Sequence, residues 1–161
     1  MHTRRSVSVV FLGAFAEYLA SKGMSIQALM GKLGLDPTVL MDREHRIAAN
    51  DYAKLYQHAA EKLSDPHLGL HVGQAIAPKF LGVVGYAMMS AANLKEALEL
   101  HLRYQELMGT YGTLEVIKSP EKWQLLWHVP KDDNIHIEEK SVATWVAFGR
   151  WIAQTHASPI N

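Results

Sequence analysis

Apolar residues recur at helical spacing through the first two-thirds of the chain. Phe11, Ala14, Phe15, Tyr18 and Leu19 fall at i, i+3, i+4, i+7 and i+8, an amphipathic stripe that Gly23 ends. Ser25 is placed to cap a short helix carrying Ile26, Leu29, Met30 and Leu33, with Gly34 as its stop. Asp36 followed by Pro37 opens a further helical turn in cap-then-proline order. Asp51 begins a clearer helix with Tyr52, Leu55, Tyr56, Ala59 and Leu63 on one face, halted at Ser64, Asp65 and Pro66. Residues 67–74 read as another short helix, and Pro78 breaks the chain after it. Residues 82–92 are apolar all round (Val83, Val84, Tyr86, Ala87, Met88, Met89), which predicts a buried helix. Asn93 with Glu96 makes a capping-box pattern for a helix from Leu94 to about Met108, with Gly109 beyond it.

The period then changes from helical to alternating. Thr113 to Lys118 alternates, Ser119, Pro120, Glu121 and Lys122 are turn chemistry, and Trp123, Leu125, Trp127 and Val129 share one face of a second strand. After Pro130 and the polar Lys131, Asp132 and Asp133, a long helix is predicted over about 134–155. Its buried stripe reads as Val142, Trp145, Val146, Gly149, Ile152 and Ala153. A lone hairpin is marginal in water, so this helix is expected to cover its tryptophan-rich side. The class is α+β in one domain spanning 1–161: a helical N-terminal layer, a small antiparallel sheet, and the long C-terminal helix packed on it.

Composition narrows the function. The 161 residues are enough to bury a real core. Sixteen basic residues balance sixteen acidic ones, whereas a module that grips nucleic acid carries a basic excess or face. The segment Ser25 to Leu40 imitates a helix-turn-helix, but its second helix offers Asp36, Asp42 and Glu44, with Arg43 and Arg46 only at the end, and reads as packing. The absence of cysteine removes disulfides, thiolate metal sites and thiol nucleophiles, and fits a reducing cytoplasm. No apolar run reaches the length of a membrane span, and Glu17 interrupts the stretch that follows Arg4 and Arg5, so the N-terminus reads as mature protein and no membrane partner is expected.

The run from Gly82 through Tyr104 resembles the N-terminal domain of AraC-type regulators. That family shows the pattern GxxGYxxxSxxxLxEALxxxxRY, met here by Gly82, Gly85, Tyr86, Ser90, Leu94, Glu96, Ala97, Leu98, Arg103 and Tyr104. The upstream DPHLGLHVG at 65–73 is similar to the family's DPxLGLxxG step, and the resemblance covers roughly 11–160. It implies a cytoplasmic regulator whose N-terminal domain binds a small-molecule effector or dimerises. Its C-terminal domain would carry two helix-turn-helix units outside this chain and make the only DNA contact. The family's label does not make arabinose the ligand.

An effector pocket needs apolar walls and a few convergent polar groups. The candidate walls are Phe80, Tyr86, Trp123, Trp127 and Trp145, and the candidate anchors are Arg103, Tyr104 and His128. Arg103 is suited to pair with a carboxylate. Each of these alone is also what core packing or a structural ion pair would place there, so the expectation attaches to the set. His67 and His71 lie at i and i+4, a metal-ligand spacing, but a third ligand is not evident, and no metal, cofactor or catalytic residue is expected. The extra apolar width of the helices at 94–108 and 134–155 points to a homodimer. The rival readings are a ligand-free dimerisation module and a small histidine-based metal enzyme.

Overall fold

The computed structural model describes residues 5–129 and 134–156. Met1 to Arg4, the predicted connection from Pro130 to Asp133, and the segment 157–161 lie outside the described residues. The order is β1 (Ser6–Ser8), α1 (Leu12–Ser21), α2 (Ile26–Lys32), β2 (Arg46–Ala48), α3 (Ala49–Leu63), α4 (Leu68–Gln74), α5 (Gly82–Met89), α6 (Leu94–Met108), β3 (Thr113–Lys118), β4 (Trp123–His128) and α7 (Ile135–His156). Helices with two small antiparallel sheets, β1–β2 and β3–β4, make the fold α+β. Among the described residues no single helix is long and apolar enough to cross a membrane.

The helix ends follow local chemistry. Ser25 accepts from the Ala28 amide and Asn93 from the Glu96 amide, while Glu96 reaches back to the Ala92 amide. Gly23 and Gly34 close α1 and α2 with φ of 75° and 72°, angles that glycine adopts without strain. After α2 the chain makes only a 3-10 turn, Pro37–Met41, too short to be a recognition helix. The core is centred on α1 and α3, where the Phe15 and Tyr56 rings stack at 4.1 Å between centroids.

Three expectations about burial change. Helix α5 is buried only on the side of Val84, Gly85 and Met88; Val83 and Tyr86 are exposed, because α5 packs between the Pro78–Leu81 turn and α6 and leaves its outer face open. Helix α7 lies mainly against α4 rather than over the hairpin, whose Trp123, Leu125 and Leu126 stay exposed. The buried stripe of α7 is Ile137, Lys140, Ser141, Thr144, Phe148 and Ile152, whereas Val142 and Val146 face outward. An α4 contact turns the helix to that phase. Gly69 and Gly73 present bare backbone to the carbonyls of His136 and Lys140, and any Cβ at Gly73 would sit 2.5 Å from the Lys140 oxygen.

The three-residue strands β1 and β2 carried too little pattern to be read from sequence. They are held by Arg46, which donates to Ser6 Oγ at 2.8 Å, to the Ser6 carbonyl at 3.2 Å and to the Leu107 and Glu106 carbonyls at 3.1 and 3.4 Å. A cation on the last carbonyls of α6 also matches the negative end of the helix. Arg46→Met is expected to cost about 1–2 kcal/mol, since several charge-assisted bonds are lost at an exposed site. A urea midpoint unchanged from the parent would contradict that assignment.

Candidate functional site

The N-terminal segment, α3, α5, α6, the hairpin and α7 converge on a cavity of about 90 Å³. Val7, Phe11, Leu81, Met88, Met108, Ile137 and Phe148 supply apolar wall, and Tyr52, Tyr111, Trp127 and Trp145 supply rings. The polar lining is His101 and Gln105 from α6 and Lys140, Ser141 and Thr144 from α7.

Some of these polar groups are spent on structure. Gln105 accepts from the Leu114 amide at 2.8 Å and donates to the Leu114 carbonyl at 3.3 Å, which pins β3 to α6 at the cavity rim. Thr144 donates its hydroxyl to the Lys140 carbonyl at 2.7 Å. Others have no protein partner. His101 is 3% exposed, its ring stands edge-on to Trp145 at 4.0 Å, and its Nδ1 meets no hydrogen-bonding group. Burial pushes the His101 imidazole down to about 3, so it is neutral at physiological pH. The Trp127 Nε1 is buried and unpaired as well. Lys140 is 8% exposed, and its Nζ lies 5.0 Å from the centroid of the Phe11 ring. Among the described residues it forms no ion pair. An unpaired buried donor costs about 1–3 kcal/mol, and an unpaired buried cation costs more. Two such buried atoms, His101 Nδ1 and Trp127 Nε1, belong to residues lining this one void.

Two larger grooves, of about 450 and 250 Å³, flank α1. Neither is lined by a buried polar atom lacking a partner, so size alone does not make them better candidates. The other buried atoms without partners, His136 Nδ1 and Glu139 Oε2, belong to residues outside the cavity lining.

Of the residues singled out from sequence, Trp127 and Trp145 line the cavity. Phe80 lines both grooves. Tyr86 on α5 and Arg103 and Tyr104 on α6 are exposed and outside the cavity lining. Trp123 lies beneath the Lys118 ammonium at the turn end of the hairpin, 4.6 Å from Nζ to centroid. His128 projects from the other hairpin face and pairs with Glu115 at 2.6 Å. His101, Gln105, Lys140, Ser141 and Thr144 were not singled out, yet they fall in phase with buried apolar neighbours. Ala97, Leu98, His101, Gln105 and Met108 follow one helical stripe, and Ile137, Ser141, Thr144 and Phe148 another.

His67 and His71 engage different carboxylates: Nδ1 of His67 meets Glu139 Oε1 and Nδ1 of His71 meets Asp65 Oδ2, each at 2.8 Å. Asp65 stays ionised below the usual carboxylate range; burial raises it, but the His71 and His67 hydrogen bonds outweigh that. Among the described residues no three His, Asp or Glu side chains gather at metal-binding distance.

Comparison with known proteins places these features in a family. Residues 23–160 match the family described as the arabinose-binding domain of AraC transcription regulators, N-terminal. The chain is also similar to an ornithine utilization regulator of Pseudomonas aeruginosa, 32% identical over 115 residues, which covers 71% of this chain and 34% of that relative. The chain therefore spans about a third of the curated relative it matches. A match over this much of its length, on the helices and hairpin that enclose the cavity, means that the chain belongs to the family of N-terminal, arabinose-binding-type domains of AraC transcription regulators.

Proposed function

We propose that the cavity between α6, α7 and the hairpin is an effector site, and that the chain is the sensing domain of a regulator whose DNA-binding domain lies beyond this sequence. The single observation carrying this is the cavity itself: apolar walls with buried polar groups that find no partner among the described residues. Trp127 and Trp145 act as walls and Lys140 and His101 as polar contacts. Helix α7 is the output element. Lys140, Ser141, Thr144, Trp145 and Phe148 line the cavity and the same helix runs on to His156, so a ligand that prefers one setting of α7 biases whatever follows it. A ligand with equal affinity for both settings would shift nothing. The reading includes a cytoplasmic, non-enzymatic homodimer.

The ligand need not be the one in a relative's name. Ornithine carries two ammonium groups beside its carboxylate, and the described lining contains no carboxylate to receive them. A sugar such as arabinose needs many hydrogen-bonding partners, and this lining is mainly apolar. A metabolite panel read by thermal unfolding tests the proposal. A ligand at one hundred times its Kd adds about 2.7 kcal/mol, which raises the Tm of a chain this size by roughly 5–10 °C. If a broad panel gives no saturable rise and sedimentation finds a tight dimer, the domain is a dimerisation module instead.

A further inference from the structure

We infer that the cavity takes a small carboxylic acid with a compact apolar tail, its carboxylate held by the Lys140 ammonium. This rests on the cavity being the effector site and adds the chemical class of what fills it.

The charge inventory of the lining carries the inference. Of the described side chains that line the void, Lys140 alone is a cation, and none is an anion. His101 is kept neutral by burial. Lys140 is buried, and its head group rests against the Phe11 ring, itself a cavity wall. A ring face partly compensates a cation but does not replace a counter-ion. The carboxylate next in sequence lies outside the cavity lining: Glu139 meets His67 Nδ1 through its Oε1. Among the described residues the void therefore presents one uncompensated positive charge, and the ligand that balances it brings one negative charge.

The other unpaired groups refine the choice. Trp127 Nε1 is a donor only, so it favours a second acceptor oxygen on the ligand, as a carboxylate has. His101 Nδ1 is free to meet a hydroxyl or amide as the tautomer requires. Phe11, Leu81, Met88 and Phe148 leave the rest of the space apolar. Size sets the tail. About 90 Å³ is below the roughly 150 Å³ that holds a benzene ring in a protein interior, which favours short chains or a single ring admitted by small side-chain shifts. A phosphate ester would need more donors than one ammonium and one indole N–H.

The test uses isosteric pairs. Pentanoate and benzoate, their amides pentanamide and benzamide, and pentylamine are titrated into the purified chain by calorimetry, with tryptophan emission as a second signal because Trp127 and Trp145 line the site. At least one acid is expected to bind at least tenfold more tightly than its amide, and pentylamine not at all. In Lys140→Met that acid loses at least tenfold in affinity while its amide is unchanged. Lys140→Gln, a second neutral replacement, gives the same result. If the amides bind as tightly as the acids, or Lys140→Met leaves the acid's affinity intact, the carboxylate assignment is overturned while the cavity remains an effector site. If no probe changes either signal, the carboxylate assignment is overturned, and the effector-site reading is decided separately by the metabolite panel.

Discussion

Gly69→Ala is expected to destabilise the chain by at least about 3 kcal/mol, which for this size lowers Tm by roughly 6–12 °C. The added methyl would land on the backbone carbonyl of His136, and backbone cannot rotate away as a side chain can. Helices α4 and α7 would have to separate, although their contact is the most extensive between helices in the fold. Gly73, one turn on, makes the same approach to the Lys140 carbonyl and the Ala143 Cβ, so relief at one position strains the other. Alanine is the better helix former by roughly 1 kcal/mol, and the steric cost must exceed that gain. Gly149→Ala in α7 is the control: nothing lies within 4 Å of its Cβ position, so the propensity gain stands alone and stability should hold or rise. Equilibrium urea unfolding of the two variants decides. A Gly69→Ala protein as stable as the parent would mean that the α4–α7 approach is looser than described. Because Lys140 and Ser141 reach the cavity only in this phase of α7, the same variant should also weaken any ligand that the parent binds.

The helices, their caps and the hairpin were legible because each is written in local chemistry: Ser25 and Asn93 cap where their side chains reach an orphan amide, and the turn at 119–122 closes on Ser119 and Lys122. The facing of α7 was not. Its sequence offers two stripes, one with Val142 and Val146, the other with Lys140, Ser141 and Thr144, and hydropathy favours the first. The glycines of α4 choose the second, a tertiary effect that no window along α7 contains. The site was hidden for the same reason. Hydrophobic ranking promotes aromatic residues, and it found Trp127 and Trp145, but it sets aside a lysine and a histidine whose meaning depends on burial. Arg103 drew attention through its charge, yet it lies two residues past His101 on α6, which turns it away from the inward stripe. Where a helix buries polar side chains in its inward stripe and exposes valines, packing economy has been overridden, and such places are where function is expected.

Acidification should therefore weaken this protein well before its carboxylates protonate. In the unfolded chain His101 takes up a proton near the ordinary value of 6.5; in the folded chain burial delays uptake to about 3. Between those values the unfolded state holds more protons, so stability is complete above pH 6.5 and is lost as pH falls through that window. One group with this displacement costs about 2 kcal/mol between pH 7.5 and pH 5. Asp65 and Asp36, both held below their usual range, contribute their losses only at lower pH. His101 is one of nine histidines, so the comparison is differential. His101→Leu removes one group and leaves the surface pairs of His67, His71 and His128 in place in both proteins. The parent's urea-unfolding free energy should fall by about 2 kcal/mol more than the variant's between pH 7.5 and 5. Equal slopes would show that the imidazole protonates in place, which requires water or a counter-ion at His101 and a cavity wetter than its walls imply. An acid bound at Lys140 should narrow the parent's slope, because its charge makes a protonated His101 less costly to hold inside.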